Sequence, residues 1–151
     1  MGSSEMFNHQ KRKHFSAWET EKIKEFLNNA DISYVATSNK DGVPHMAIVK
    51  DIEIINDGEQ IVFKSWFCIR SLENLDVNLN IALACYNVEK ELGYQFIGKV
   101  ISQNVEAILN GYAPELESVE AETPQTEYKL KIEVESILEL HLGTHSDKSI
   151  M

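Results

Sequence analysis

A short segment near the middle of the chain has the residue types of a phosphate site. Residues 62–65 (VFKS) form a β-branched and aromatic run that ends in a hydroxyl, and residues 70–75 (RSLENL) have the composition of a helix start. The first turn of a helix has backbone N–H groups without partners in the helix, and its dipole favours negative charge. We therefore predict a site for a monophosphate where this strand leads into this helix.

Three side chains could complete that site. Ser71 suits the N-cap of the helix, Arg70 can form a forked, charge-assisted contact, and Ser65 can donate its hydroxyl from the strand side. The same residues also allow a simpler interpretation, in which Ser71 only caps the helix and Arg70 points into solvent. The segment alone leaves both interpretations open.

Length and composition indicate one folded domain in a chain of 151 residues, of which 43% are hydrophobic and 25% charged. The net charge of −10 argues against binding to nucleic acid or to an anionic membrane, both of which need clustered positive charge. The one basic cluster, residues 11–14 (KRKH), lies in a polar lead at 1–15 that we expect to be a flexible, solvated arm. An anion site must therefore be local.

Other classes of protein are also disfavoured. No apolar run approaches the ~18 residues of a membrane span, and the N-terminus lacks the apolar core of a signal peptide, so we expect a cytoplasmic protein. Cys68 and Cys85 lack CxxC spacing and are expected to be reduced. The five histidines are scattered, and His141 and His145 have no partner cluster, so we predict no metal site.

Hydrophobic periodicity and turn residues predict a mainly β protein. A capping box at residues 16–19 and helical spacing predict a helix at 17–29. Tight turns and alternating residues predict six short strands, which favour an antiparallel sheet closed or nearly closed into a barrel. The expected strands are 32–38, 44–55, 61–65, 81–86, 94–102 and 128–134, with a helix near 71–78, an acidic helix from Pro114 and a frayed polar tail at 143–151.

Lys50 stands out in the second predicted strand. Alternation over residues 44–55 places the apolar side chains of Met46, Ile48, Ile52 and Ile54 on one face, with Lys50 among them. An uncompensated charge on an apolar face is costly. The lysine should therefore either extend to the edge of the sheet or meet an anion.

The order of these elements and the residues within them resemble the pyridoxamine-phosphate-oxidase-like family of FMN-binding split barrels. The resemblance covers residues 17–140 and implies an α+β fold, mainly β, with an antiparallel six-stranded split β-barrel and flanking short helices in a domain at 16–142. It rests on 34–37 (YVAT), 41–45 (DGVPH), the strand ending at Lys50, 63–65 (FKS), Arg70 and Ser71 with Asn74, Leu75 and Asn78, 81–84 (IALA) and 95–100 (QFIGKV).

The resemblance also implies a cofactor and a partner. Members of this family are typically homodimers that hold FMN at the subunit interface. Arg70 and Ser71 would bind the FMN phosphate, in agreement with the anion site argued above, and Lys50 could stabilise negative charge on the reduced ring. The remaining implied contacts are His45, Met46, Ala47, Ile48, Val49 and Lys50 along the flavin, and Lys64 and Ser65 near its ribityl-phosphate end.

The sequence departs from the true pyridoxine-phosphate oxidases. Those enzymes commonly have basic residues at the positions of His45 and Ser71 and a C-terminal Arg-Leu-His segment, where this chain has 141–145 (HLGTH). We therefore expect an FMN-dependent oxidoreductase that acts on another small molecule, with NAD(P)H as a transient donor because no Gly-rich dinucleotide motif is present. No catalytic residue is assigned. The alternatives are a non-catalytic flavoprotein that stores FMN or passes electrons, and a split barrel that binds haem or a deazaflavin.

Overall fold

The computed structural model describes residues 17–66, 69–109, 125–144 and 146–150. The predicted N-terminal arm, the predicted acidic helix from Pro114, Cys68 and His145 lie outside the described residues. A 3-10 turn, Asn56–Gly58, joins the third and fourth strands. The elements are α1 (Ala17–Asn28), β1 (Ile32–Ser38), β2 (Pro44–Ile48), β3 (Lys50–Ile55), β4 (Gln60–Trp66), α2 (Ile69–Val77), β5 (Asn80–Asn87), β6 (Leu92–Leu109) and β7 (Gln125–Leu140).

The strands form one antiparallel sheet in the order β2-β1-β5-β6-β7-β4-β3. The predicted class, mainly β with short flanking helices, is confirmed. The sheet has seven strands rather than six because the predicted strand at 44–55 divides into β2 and β3 at Val49, and it is not closed. Val49 is buried, and its N–H donates to the carbonyl oxygen of Ser33 at 3.0 Å. The two edge strands of the sheet are therefore consecutive along the chain.

The division at Val49 also changes which side chains face the core. Met46 and Ile48 are 58% and 70% exposed, whereas Ile54 is buried. Asp51 has a φ of +53°, and the register with β4 shifts at the same place, which is the geometry of a bulge. One additional residue turns the following side chains to the opposite face. The prediction that the apolar residues of 44–55 share one face is therefore wrong.

The core lies on the inner face of the sheet, with α1 packed against it. Phe96 occupies its centre, where it stands in register with Leu83 of β5 and Ile137 of β7, and all three side chains are inaccessible to solvent. From α1, the ring of Phe26 meets the ring of Tyr94 edge to face, with centroids 4.8 Å apart. This packing fixes β5, β6 and β7 relative to the helix.

The C-terminal residues fold back along the second half of β7. The N–H of Asp147 donates to the carbonyl oxygen of Glu139 at 2.7 Å, and the N–H of Ile150 donates to that of Ile137 at 3.0 Å. Ile150 also packs against the core. The prediction of a frayed tail is wrong for these residues. β4 pairs with β7 only as far as Glu133. The tail therefore pairs with backbone groups in the second half of β7 that would otherwise form an open edge.

Candidate functional site

The start of α2 holds the two residues predicted to bind an anion. Because the helix begins at Ile69, Ser71 is its third residue, and the prediction that Ser71 is the N-cap is wrong. Ser71 is only 3% exposed, and its Oγ has no hydrogen-bond partner among the described residues. Arg70, the residue before it, is exposed. A buried hydroxyl without a partner costs roughly 1–3 kcal/mol, so a ligand oxygen at this position would satisfy it.

Two asparagines hold α2 against the end of β1. The Nδ2 of Asn74 donates to Oγ1 of Thr37 at 3.0 Å, and both residues are buried. Just beyond the helix, the Nδ2 of Asn78 donates to Oγ of Ser38 at 2.9 Å. These bonds fix the helix start relative to the sheet, which gives Asn74 and Asn78 a positioning role that the sequence did not reveal.

A cleft of about 420 Å³ separates α2 from the turn between β1 and β2. It brings His45 and Arg70 together, although they come from distant parts of the chain. The cleft has charges of both signs, since Lys40 and Arg70 face Asp41 and Glu73. Its lining residues are Asn39, Lys40, Asp41, Val43, Pro44, His45, Arg70, Glu73, Asn74 and Val77.

The strand predicted to run along the flavin has one open edge. Among the described strands, β2 pairs only with β1, so part of its backbone faces away from the sheet. Ala47 is half-buried beside buried Val49, while Met46 and Ile48 are exposed on the outer face. The chain therefore offers a flat ligand both an exposed apolar surface and free backbone groups along β2.

Ser65 links β4 to the end of β2. It is 1% exposed, and its Oγ donates to the carbonyl oxygen of Ile48 at 3.1 Å. We predicted that this hydroxyl would donate to a phosphate, but its proton is directed to Ile48 here. Lys64, its neighbour, is half-buried and stands directly opposite Lys50 in the β3–β4 register. Ser65, Lys64 and Lys50 thus gather where β2 gives way to β3.

Lys50 forms an ion pair with Glu127. Of the two predicted alternatives, extension to the edge of the sheet or contact with an anion, the structure shows the second. Its Nζ lies 2.8 Å from Oε2 of Glu127, a residue of β7 that is only 5% exposed. The hydrogen bond to Glu127 is the main cause that raises the pKa of Lys50, and burial acts in the opposite direction. A raised pKa means that the pair stabilises the fold at neutral pH and that this contribution is lost as the pH rises through that pKa. Sequence reasoning missed Glu127 because the predicted last strand began only at residue 128.

Removing either partner of this pair should have unequal effects. We expect Lys50→Met to lower the free energy of unfolding by about 1–3 kcal/mol, because it leaves the buried Glu127 carboxylate without the cation beside it, at a place where solvent partly screens the pair. Glu127→Gln should cost less, since the Lys50 side chain is half exposed and water can solvate its ammonium. Urea unfolding at pH 7 measures both, and Lys50→Met should lose more stability than Glu127→Gln. Equal losses for the two variants at pH 7 would contradict this account.

Among the described residues, metal-binding groups and thiols are few. Within the described ranges, no group of three or more His, Cys, Asp or Glu side chains could hold a metal ion. Cys85 is a fully buried free cysteine, and burial raises the pKa of its thiol to about 11, so the reactive thiolate is suppressed at neutral pH. As for the helices, none in the described part of the chain is long and apolar enough to cross a membrane.

Comparison with known proteins identifies relatives. The family model of pyridoxamine 5'-phosphate oxidase matches residues 19–134. An uncharacterized protein of Methanocaldococcus jannaschii is 34% identical over 80 residues, which is 52% of this chain and 52% of that protein, so the match spans about half the length of the relative.

Solved structures share the fold at low sequence identity. A pyridoxamine 5'-phosphate oxidase-related, FMN-binding protein from Nostoc punctiforme has a TM-score of 0.59 and 11% identity, with 86% of this chain and 87% of that chain covered. HupZ of Group A Streptococcus has a TM-score of 0.58 and 22% identity, with coverages of 82% and 94%. An FMN-binding protein from Syntrophomonas wolfei has a TM-score of 0.57 and 14% identity, with coverages of 94% and 97%.

Proposed function

Because this chain belongs to the pyridoxamine 5'-phosphate oxidase family, we propose that it is a flavoprotein that holds FMN by its phosphate at the start of α2. The observation that carries the proposal is the buried Oγ of Ser71, which has no partner among the described residues and adjoins Arg70. The names of the structural neighbours from Nostoc and Syntrophomonas support the choice of cofactor, since both are described as FMN-binding.

The donors at this helix end suit a phosphate monoester. Such a group carries about −1.5 to −2 charges at pH 7 and offers strong acceptor oxygens. Ser71 can donate its hydroxyl, Arg70 its guanidinium, and the first turn of α2 its unpaired backbone N–H groups. Glu73 on the same helix lines the cleft as well and opposes an anion there. The phosphate is therefore best placed on the Ser71 side of Arg70, away from Glu73.

The ring of the flavin would lie along β2. His45 lines the cleft beside Arg70, and the open edge of β2 around Met46 offers backbone groups to a planar polar ligand. Lys64 and Ser65 would lie near the ribityl-phosphate end, and Lys50, which stands opposite Lys64 in the β3–β4 register, can stabilise negative charge on the reduced ring. When bound, FMN supplies the hydride or electron transfer, while the protein binds, orients and shields it.

A second copy of the chain would complete the site. The outer face of β1, β2 and β5 is apolar and flat, because Ala36 and Ala84 lie among larger apolar side chains. None of the side chains on this apolar face, Met46 and Ile48 included, carries a charge. Since it includes β2, the second subunit would border the flavin. The apolar face consists of Tyr34, Ala36, Met46, Ile48, Ala82, Ala84 and Ile97, which neighbour one another in register.

A single charge should break this dimer. Ala84 lies on the apolar face in register with Tyr34, so Ala84→Glu would bury a carboxylate in the subunit contact and should give a monomer with weakened FMN binding. Light scattering coupled to size-exclusion chromatography measures the mass. Val88→Glu, at an exposed position in the loop after β5, is the matched control and should remain dimeric. A monomeric wild-type protein at micromolar concentration would contradict the dimer.

The cofactor is tested on the freshly purified protein. We expect a yellow protein that releases FMN on denaturation, identified by mass spectrometry, or that binds added FMN with quenching of its fluorescence. Release of haem or a deazaflavin, or failure to bind added FMN, would overturn the proposal.

We further propose that the bound flavin is used catalytically, as an oxidoreductase of a small molecule with NAD(P)H as donor. A cytoplasmic location, where reduced nicotinamide nucleotides are available, is part of this proposal. Steady oxidation of NADH or NADPH with an added acceptor tests it. A single reduction of the flavin without turnover would instead favour a protein that stores FMN or transfers electrons.

A further inference from the structure

The apolar face continues across more of the sheet than the strands that define it. Ala84 pairs on one side with Tyr34 of β1 and on the other with Gln95 of β6. Gln95 in turn stands opposite Leu138 of β7, and Leu138 stands opposite Ser149 of the C-terminal tail. Residues directly opposite each other on paired strands point to the same face of a sheet. One row of outward-facing side chains therefore crosses from β2, which pairs with β1, to the tail.

Two shorter rows flank this one on the same side of the sheet. The first joins Ile97 of the apolar face to Ser136 of β7. The second consists of Ile32, Tyr86, Gly93 and Leu140. None of the residues in these three rows carries a charge, although 25% of the residues in the chain do, and we call the three rows the uncharged face. Charged residues begin beyond Ile97, where Lys99 stands opposite Glu133.

The tail is fixed with one side chain in the core and the preceding one on the uncharged face. Ile150 packs against the core, and its N–H donates to the backbone of β7 at 3.0 Å. The N–H of Glu139 donates to the carbonyl oxygen of Lys148 at 2.8 Å, so the tail is held to β7 on both sides of Ser149. Because side chains alternate along a strand, Ser149 points outward. The tail therefore adds a sixth strand to the uncharged face.

The added strands change the area that a second copy of the chain could cover. Neighbouring strands are about 4.8 Å apart and successive residues on one face about 6.8 Å apart, so each position covers roughly 33 Å². The seven residues of the apolar face then cover roughly 230 Å² per subunit, or under about 500 Å² for a pair. The fifteen residues of the uncharged face cover roughly 490 Å² per subunit, or about 1,000 Å² for a pair. A specific interface needs about 1,000 Å², and smaller contacts are typical of crystal packing.

A second copy of the chain fits the uncharged face better than a charged partner does. The net charge of −10 is carried by residues outside this face, so a basic partner would be attracted to other surfaces. Two copies that meet through the uncharged face keep their like charges out of the contact. They also remove from water outward apolar side chains such as Ile48, which is 70% exposed.

We propose that the C-terminal tail and the second half of β7 are part of the subunit contact, so that dimerisation depends on the tail. This inference rests on the dimer of the proposed function and extends its contact from β1, β2 and β5 to β7 and the tail. The tail then has two roles, since it pairs with the open part of β7 in its own subunit and contacts the other subunit. Because the proposed flavin site borders this contact, loss of the tail contact should also weaken FMN binding.

The test introduces a charge at each end of the Leu138–Ser149 pair in the full-length chain. Leu138→Glu and Ser149→Glu should each raise the dissociation constant of the dimer at least about tenfold, because a carboxylate would be buried in the contact without a partner. Sedimentation at a series of concentrations measures this constant, and circular dichroism checks that each variant is folded. Lys148→Glu is the matched control, since it places a carboxylate on the neighbouring exposed residue, which faces the other side of the sheet, and it should dimerise as the wild type does.

The outcomes separate this inference from the proposed function. Unchanged dimerisation of Ser149→Glu, in a protein that Ala84→Glu makes monomeric, would overturn the tail contact and leave the dimer of the proposed function intact. Equal loss of the dimer in Ser149→Glu and Lys148→Glu would also overturn it, because the effect would then come from detachment of the tail. A monomeric wild type would overturn both. Weaker dimerisation of Leu138→Glu and Ser149→Glu in a protein that does not bind FMN would support the tail contact and reject the flavoprotein.

Discussion

Arg70→Ala should weaken FMN binding at least tenfold, about 1.4 kcal/mol, because one charged hydrogen bond to a phosphate is worth roughly 1.5–3 kcal/mol. Ser71→Ala should weaken it as well, and the double variant should be purified without FMN. Titration of the apoprotein with FMN, followed by quenching of flavin fluorescence, measures each dissociation constant. Glu73→Ala is the matched control on the same helix, and it should bind FMN at least as tightly as the wild type because it removes an opposing charge.

Ser71→Ala also separates a binding role from a structural one. If the buried hydroxyl serves only the ligand, its removal from the apoprotein takes away an unsatisfied polar group and leaves the free energy of unfolding unchanged or raised. A structural hydroxyl would give the opposite result, with lower stability and unchanged FMN affinity. Full flavin occupancy in the Arg70→Ala/Ser71→Ala variant would show that the anion site has been misplaced.

Gly98→Ala should destabilise the fold by at least about 3 kcal/mol, since severe overpacking exceeds the usual cost of a core substitution. A Cβ at this position would lie 1.9 Å from the carbonyl oxygen of Glu133, a backbone atom of β7 that cannot rotate away. The pairing of β6 with β7 shifts register beside Gly98, so the close approach belongs to a bulge. Urea unfolding followed by circular dichroism measures the loss.

Gly143→Ala provides the control for that substitution. The nearest atom to an added Cβ there is 3.8 Å away, which is an ordinary contact, so the stability should not change. A Gly98→Ala protein within about 1 kcal/mol of the wild type would mean that β6 and β7 separate more easily than their contact distance indicates.

Local patterns were sufficient for the class of fold but not for its irregularities. The bulge at the start of β3 was missed because Asp51 adopts a positive φ without the glycine that usually marks one. Both long strands extend beyond their predictions, from 94–102 to Leu92–Leu109 and from 128–134 to Gln125–Leu140. In the added portions polar residues such as Gln103 and Glu135 interrupt the alternation, and it is cross-strand pairing that continues the strands.

The candidate site, like the fold, could be predicted from the sequence only in part. Arg70 and Ser71 could be found from the chemistry of a helix start, although the exact first residue of a short helix could not. The pairing of Lys50 with Glu127, and the juxtaposition of Lys64 with Lys129, depend on a register between strands far apart in the sequence. No local pattern encodes such a register, so these contacts became visible only in three dimensions.

Open borders of β-sheets are where proteins polymerise, because an unpaired strand is a template for the next molecule. Here the two borders are contiguous along the chain and are joined through Val49, whose N–H is already bound to Ser33. β2 has five residues and β3 has six, so each border offers a foreign strand only a short ladder. The break at Val49 keeps both edge strands short, which disfavours edge-to-edge pairing with another chain.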